Sequence, residues 1–194
     1  GVCLALGLAE RGVRDVVLVE REGIGHGASG RNGGFVFAGY SLGEDALLRQ
    51  LGAERARALY GATTRAVDLI RQRIRQYAIA CDAVDAGVIW ANWFRDGSIV
   101  RARQQLLKET YGIEWEWLPE SQLRSVIHSN RYHDALFERN ALHLHPLDYL
   151  HGMVRAAQAQ GVRFHEHSRV RKIERDGAAW RVRTEAGEVQ AQTV

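Results

Sequence analysis

The first 34 residues join a helix of small residues, a short apolar strand and a glycine-rich loop, and this order constrains the fold more than any other feature. Gly1, Ala5 and Ala9 recur every four residues, so one helix face has little side-chain bulk and can approach a sheet or an anion closely. Gly12 is suited to end the helix because glycine readily adopts positive φ. This order predicts the second half of a dinucleotide-binding βαβ unit.

An acidic residue follows the predicted strand where a nucleotide ribose needs hydrogen-bond acceptors. The run from Val16 to Val19 is short and β-branched, which favours a buried parallel strand, and Glu20 comes directly after it. A carboxylate can accept hydrogen bonds from both ribose hydroxyls, and its charge disfavours a 2′-phosphate. The alternative interpretation is that Glu20 is an ordinary solvated carboxylate at a strand end.

The segment from Gly23 to Gly34 contains six glycines in twelve residues. Such a segment forms neither a helix nor the core of a strand, but its backbone can bend tightly and turn N–H groups toward an anion. Ser29 adds a hydroxyl donor, and Arg31 and Asn32 add further polar groups. The alternative is a flexible linker, which the apolar run from Phe35 to Phe37 disfavours.

These residues resemble the amino-terminal part of the FAD-dependent oxidoreductases of the D-amino-acid oxidase superfamily, and within it a gamma-glutamylputrescine oxidoreductase-like branch. In that branch a G-x-G-x-x-G motif opens a helix that ends in a phrase like Ala9-Glu-Arg-Gly12. The next strand ends in the ribose-binding acid, and a loop like Gly27-Ala-Ser-Gly-Arg-Asn-Gly-Gly34 packs against the cofactor. The resemblance implies that Gly1 is the third glycine of the motif and that Glu20 binds the ribose.

The same resemblance implies FAD as the cofactor. Val170 would reach the adenine through its backbone, at the start of the second of two strands that return to the FAD-binding domain. The implied cofactor-binding residues are Gly1, Glu20, Arg21, Ala28, Ser29, Arg31, Asn32, Gly33, Gly34 and Val170. Some relatives attach the flavin to a histidine in this loop, but Arg31 occupies about that place, which argues against a covalent link.

The implied fold is α/β, with an incomplete Rossmann-like FAD-binding domain and an α+β substrate domain that contains a mixed or antiparallel sheet. Residues 1–43 and 145–194 would belong to the FAD-binding domain, and residues 44–144 to the substrate domain and connecting helices. In the family one strand and two glycines precede the position of Gly1, and an apolar strand begins near Val194. We therefore expect a fragment truncated at both ends of a longer parent protein.

Hydrophobic periodicity predicts the remaining elements. Apolar positions step by three and four through residues 43–77, which predicts an amphipathic helix that Gly52 and Gly61 divide into shorter ones. The other predicted helices cover residues 98–111, 119–126 and 147–160, and the other predicted strands cover residues 82–93, 162–167, 169–175, 179–184 and 188–194.

The activity implied by the resemblance is oxidation of a small-molecule amine or amino acid to an imine by hydride transfer to the flavin. The cofactor performs the chemical step, so no side chain is assigned to catalysis. One alternative is an NAD-dependent dehydrogenase, which the glycine-rich loop and the loss of βαβ alternation after residue 43 disfavour. A non-catalytic nucleotide-binding fragment is the other.

Composition and charge limit the partners. The chain has 26 basic and 23 acidic residues, a mixed surface that argues against a nucleic-acid partner. No apolar run approaches the roughly 20 residues of a membrane span, and we expect a cytoplasmic protein. Cys3 and Cys81 lack CxxC spacing, so we expect buried thiols in a reducing compartment.

Histidine and tryptophan residues allow two further interpretations. The i, i+2 spacing of His143 with His145, and of His165 with His167, would place each pair on one strand face, but no third ligand is evident and we expect no metal. Four indoles either line an amine-binding cleft or, as is commoner, pack in the core. They are Trp90, Trp93, Trp115 and Trp117.

Overall fold

A computed structural model describes all residues from 1 to 194, and the chain forms two compact units. Unit 1 comprises residues 1–33, 73–81 and 145–194, and unit 2 comprises residues 34–72 and 82–144. Relative to the division expected from the sequence, residues 34–43 lie in unit 2 and residues 73–81 lie in unit 1.

Five helices and ten short strands make up the two units. In chain order they are α1 (Val2–Glu10), β1 (Val17–Val19), β2 (Phe35–Val36), α2 (Glu44–Gln76), β3 (Val88–Ala91), α3 (Ser98–Leu106), β4 (Glu116–Leu118), α4 (Glu120–Val126), β5 (Ala135–Glu138), β6 (Leu142–His143), α5 (Pro146–Ala159), β7 (Arg163–His165), β8 (Val170–Asp176), β9 (Ala179–Thr184) and β10 (Glu188–Ala191). A π-helical turn, Leu107–Tyr111, continues α3. None of the helices is both long and apolar enough to cross a membrane.

The structure confirms most predicted elements and corrects three features. The helical path of α2 is interrupted at Gly52, where φ is 74° and ψ is 165°, but it continues through Gly61. The predicted strand over residues 82–93 is limited to β3. Strands β2, β4, β5 and β6 were missed because they have only two to four residues, too few for a clear alternation of apolar and polar side chains.

Unit 1 combines a parallel strand pair with packed helices and an antiparallel sheet. Strands β1 and β7 pair in parallel, with Val17 opposite Arg163 and Val19 opposite His165. Helix α1 packs on α5, and Leu6 and Met153 are fully buried. Strands β8, β9 and β10 form an antiparallel meander.

Close backbone approach in unit 1 depends on a glycine of α5. A Cβ atom on Gly152 would lie 2.3 Å from Cγ2 of Ile79. Since real Cβ contacts are not that short, the segment after α2 contacts α5 this closely only because residue 152 has no side chain.

Unit 2 contains an antiparallel sheet in the order β3-β5-β4, and β2 pairs separately with β6. In the larger sheet Leu136 lies opposite both Trp90 and Trp117, so these three side chains share one face. The ring of Trp90 stacks on that of Trp115, with centroids 5.9 Å apart. Trp115 is buried and Trp90 and Trp117 are half-buried in this packing, whereas Trp93 is 55% exposed and does not pack in the core.

Arginines of α3 lie over these indoles. The guanidinium carbon of Arg103 is 5.0 Å from the ring centroid of Trp90 and 4.8 Å from that of Trp115, and the guanidinium carbon of Arg101 is 3.5 Å from that of Trp117. The faces on which a substrate amine would stack are therefore in contact with the protein's own cations. This geometry favours the packing interpretation of these indoles.

A buried carboxyl group lies on the same sheet. Glu138 is 2% exposed, and its Oε2 accepts a hydrogen bond of 2.9 Å from Nε1 of Trp90. Burial raises the pKa of Glu138 above its usual 4.5, and hydrogen bonds from Trp90 and the Ala38 amide, with the positive charge of Arg103, offset only part of that effect. Arg103 is itself ion-paired with Glu44 at 2.8 Å.

The raised pKa of Glu138 makes folding stability depend on pH. A carboxyl whose pKa is higher in the folded state stabilises that state fully below pH 4.5, and this contribution is lost as pH rises through the folded pKa. We expect Glu138→Gln to reduce the loss of stability between about pH 5 and pH 8. Urea unfolding of the full-length protein at both pH values measures this difference.

Glu116→Gln is the matched control because Glu116 lies in the same sheet with an exposed side chain. Its unfolding free energy should follow the pH dependence of the wild-type protein. An unchanged pH dependence in Glu138→Gln would contradict the prediction.

Candidate nucleotide-binding site

A cleft of about 380 Å³ opens in unit 1 at the carboxyl end of β1. The lining residues are Val19, Glu20, Arg21, Ser168, Arg169 and Val170. Three residues of the implied cofactor set, Glu20, Arg21 and Val170, therefore meet although they are far apart in the sequence.

Backbone hydrogen bonds hold Glu20 at the edge of this cleft. The Glu20 amide donates to the carbonyl of His165 at 2.8 Å, and the Glu20 carbonyl accepts from the amide of Ser168 at 2.7 Å. These bonds extend the parallel pairing of β1 and β7 beyond the last strand residue. The main chain of Glu20 is thus fixed by the segment that follows β7.

The carboxylate of Glu20 has capacity for a ligand. Its Oε1 accepts a hydrogen bond of 2.9 Å from the amide of Glu22, which shapes the turn after β1. A carboxylate can accept about four hydrogen bonds. Glu20 can therefore still accept from hydroxyl groups in the cleft.

Helix α1 begins beside β1. Gly1 is its N-cap residue and provides no side-chain cap for the N–H groups of the first turn. A Cβ on Gly1 would lie 3.4 Å from Cδ1 of Leu18, so the start of the helix lies against the strand. Uncapped N–H groups at a helix start favour an anion, both as donors and through the helix dipole.

The glycine-rich loop is a folded series of turns. The amide of His26 donates to the carbonyl of Gly23 at 3.0 Å, and the side-chain nitrogen of Asn32 donates to the carbonyl of Ala28 at 2.9 Å. The amide of Ile24 also donates to a carboxylate oxygen of Glu166 at 2.6 Å. A flexible linker would not form these hydrogen bonds.

Two glycines of the loop are needed for steric reasons. Gly25 has a φ of 93°, and a Cβ there would lie 2.4 Å from Cδ1 of Leu147. A Cβ on Gly30 would lie 2.3 Å from the carbonyl oxygen of Gly25. The loop therefore closes on itself and on α5 only where these side chains are absent.

The other residues of the implied cofactor set lie away from the cleft. Ala28, Ser29, Arg31, Asn32 and Gly33 are exposed on the loop of unit 1. Gly34 belongs to unit 2, where it is buried with a φ of 71° and its carbonyl accepts from the amide of Leu144 at 3.0 Å.

Sequence reasoning missed Ser168 and Arg169 as lining residues. Both follow β7, and the carboxyl ends of parallel strands meet at one sheet edge. The predicted strand over residues 162–167 could have identified them. Parallel pairing of this strand with β1 places the residues after it beside Glu20.

The expectation that each histidine pair lies on one face of a strand is wrong, because only the first histidine of each pair is in a strand. His145 does not lie in a strand: it caps α5, and its Nδ1 accepts from the amide of Asp148 at 3.2 Å. His167 lies beyond β7 with a φ of 51°. No group of three or more His, Cys, Asp or Glu side chains in residues 1–194 is arranged to hold a metal ion.

The expectation that both cysteines are buried is half wrong. Cys81 is buried, but Cys3 is exposed.

Comparison with known proteins relates the whole chain to one family. The family model described as FAD dependent oxidoreductase matches residues 1–194. The chain is 36% identical over 196 residues to gamma-glutamylputrescine oxidoreductase of Escherichia coli (strain K12), and 31% identical over 195 residues to the probable oxidoreductase OrdL of Haemophilus influenzae. Each alignment covers 100% of the chain and 45% of the relative. The chain thus spans about half the length of these curated relatives.

Solved structures show the same fold. Glycine oxidase from Geobacillus kaustophilus superposes with a TM-score of 0.76 at 20% identity, over 99% of this chain and 50% of that one. L-proline dehydrogenase from P. horikoshii superposes with a TM-score of 0.70 at 15% identity, over 97% of this chain and 47% of that one. The predicted α/β fold class is confirmed, and the comparisons lend no support to an NAD-dependent dehydrogenase.

The steric role of Gly30 can be tested against a neighbouring glycine. We expect Gly30→Ala to lower the free energy of unfolding by about 2 kcal/mol, because the new Cβ forces the Gly25 carbonyl to move. Gly27→Ala is the matched control: its Cβ would meet nothing within 4 Å, so a change of at most about 0.5 kcal/mol is expected. Urea denaturation of the full-length protein compares the two, and equal effects would refute the role.

Proposed function

The chain belongs to the family of FAD-dependent oxidoreductases, and on that premise we propose that unit 1 forms part of an FAD site in a parent enzyme that oxidises the C–N bond of a small amine or amino acid. The main support is the cleft at the end of β1, which brings Glu20, Arg21 and Val170 together. Unit 2 would then be part of the substrate domain.

The residues around the cleft fit the adenosine end of FAD. The Glu20 carboxylate can accept from the ribose hydroxyls, and its charge would repel a 2′-phosphate. Arg21 and Arg169 add positive charge to the lining of the same cleft, which suits an anionic ligand. The first turn of α1 adds uncapped N–H donors beside the same strand.

The start of β8 suits a backbone contact with adenine. Strand β8 pairs with β9, but the register shifts between Val170 and Lys172. Such an irregularity leaves one residue out of the strand ladder. The residue left out is Arg171, whereas Val170 pairs with Thr184. Strand β8 lies at the edge of its sheet, so one side of its backbone has no strand partner, which supports the proposed role of Val170.

In the proposed reaction, the cofactor and the protein have different roles. FAD, when bound, supplies a hydride acceptor for the carbon that bears the amine. The protein would bind and orient the cofactor: Glu20 would hold the ribose, and α1 would direct its N–H donors toward the phosphates. No side chain of the chain is assigned to proton transfer.

Substrate class and location complete the proposal. The relatives named above support a primary or secondary amine, or an amino acid, as the substrate. Cys3 and Cys81 form no disulfide, which supports a reducing, cytoplasmic location.

Turnover of the full-length protein tests the activity. We expect dye reduction or peroxide release with at least one member of a panel of gamma-glutamylputrescine, putrescine, glycine and proline. A flavin-containing protein that turns over none of a broad set of amines and amino acids would contradict the proposed substrate class.

Glu20→Ala tests the cofactor site. Hydrogen bonds to a charged group contribute about 1.5–3 kcal/mol, so its loss should raise the Kd for FAD about tenfold or more in the full-length protein. Flavin absorbance of the purified protein and titration of the apoprotein measure this change.

Glu22→Ala is the matched control. Glu22 lies in the same turn, and its carboxylate contacts Arg21 at 3.2 Å without lining the cleft. Its FAD affinity should stay within about twofold of wild type. If Glu20→Ala also stays in that range, Glu20 does not bind the ribose.

A further inference from the structure

An ion pair between a buried arginine and a partly exposed glutamate joins the last turn of α1 to the segment that ends α2 in unit 1. Arg73 is 5% exposed, and its Nη2 donates to Oε2 of Glu10 at 2.8 Å. We propose that Arg73 and Glu10 are positioning residues for the cofactor: their ion pair fixes α1 so that its first turn meets the phosphates. This inference rests on the proposed FAD site.

The pair belongs to a chain of hydrogen bonds that connects three segments. The other oxygen of Glu10, Oε1, accepts from the hydroxyl of Tyr77 at 2.8 Å. That hydroxyl accepts in turn from the side-chain nitrogen of Gln160 at 3.2 Å. The Glu10 carboxylate therefore connects α1 to residues 73–77, and the Tyr77 hydroxyl extends this connection to the C-cap residue of α5.

This ion pair costs more desolvation free energy than an exposed ion pair does. A buried guanidinium loses its hydration, and Nε of Arg73 is buried without a hydrogen-bond partner. Glu10 also lies in the last turn of α1, where the helix dipole disfavours a negative charge. Burial alone would raise the pKa of Glu10, but hydrogen bonds from Arg73 and Tyr77 outweigh burial and lower the pKa below 4.5.

The ion pair constrains the orientation of α1 more than the apolar contacts do. Helix α1 packs on α5 through small and apolar side chains, among them Leu6, Ala9, Met153 and Ala157. Apolar burial is non-directional, so such a contact tolerates small changes in tilt. A charged hydrogen bond requires a defined distance and angle, and it therefore fixes the tilt.

The tilt of α1 matters because the ion pair lies at the carboxyl end of this helix and the proposed phosphate contact lies at its amino end. Nine residues of helix span about 13 Å, so a tilt of about 5° about the Glu10 end moves the first turn by about 1 Å. Hydrogen bonds from N–H groups weaken steeply over such a displacement. Loss of the pair should therefore weaken FAD binding even though neither residue lines the cleft.

The test compares cofactor affinity with stability in the full-length protein. The variants are Arg73→Met, Glu10→Gln and the double variant Arg73→Met/Glu10→Gln, and each apoprotein is titrated with FAD and unfolded in urea. The double variant leaves no unpaired buried charge, so we expect its urea midpoint to be near that of wild type. We expect its Kd for FAD to rise about tenfold.

Two further variants separate positioning from general stabilisation. Asp45→Asn/Arg49→Met removes an exposed ion pair of 2.6 Å on α2 and should leave FAD affinity unchanged. Arg73→Lys keeps the charge, so its Kd should lie within about threefold of wild type. Should the Met variants fail to fold, a Kd for Arg73→Lys as weak as that of Glu10→Gln would overturn the inference.

The outcomes distinguish this inference from the proposed function. A wild-type protein that binds no FAD overturns both. A wild-type protein that binds FAD, with the double variant within about twofold of its Kd, overturns the positioning role alone. A loss of affinity that only parallels a loss of apoprotein stability also overturns it.

Discussion

Parallel pairing of β1 with β7 is the contact on which the candidate site depends. The two strands are only three residues long, but the pairing continues past them through the backbone bonds of Glu20 with His165 and Ser168. Because the strands are parallel, their carboxyl ends meet at one edge, and the turns that follow them form the walls of the cleft. An antiparallel arrangement would have put Glu20 and Val170 at opposite ends of the pair.

Around this pair, unit 1 achieves close packing by omitting side chains. Gly152 lets the segment after α2 approach α5, and Gly25 and Gly30 let the loop close. The small residues of α1 let that helix pack on α5 and against the strand. The ion pair between the buried Arg73 and the partly exposed Glu10 adds a directional contact to this packing.

Unit 2 differs in that charged side chains pack beside aromatic rings. Arg103 lies over two indoles and pairs with Glu44, while Glu138 is enclosed on the same sheet. The rings provide apolar packing as well as an electrostatic partner for the cation. These contacts explain why Trp90 and Trp115 belong to the protein's own packing, whereas Trp93 stays exposed.

The sequence by itself determined what depends on neighbouring residues. The small face of α1, the helix end at Gly12, the β-branched strand before Glu20 and the turns of the β8-β9-β10 meander all follow from local backbone preference and periodicity. Tertiary structure decided the rest. It continued α2 through Gly61, placed His145 at a helix cap, and brought Ser168 and Arg169 beside Glu20. These outcomes depend on pairing and packing between residues far apart in the chain, and no local pattern records which distant segment a strand or helix will meet.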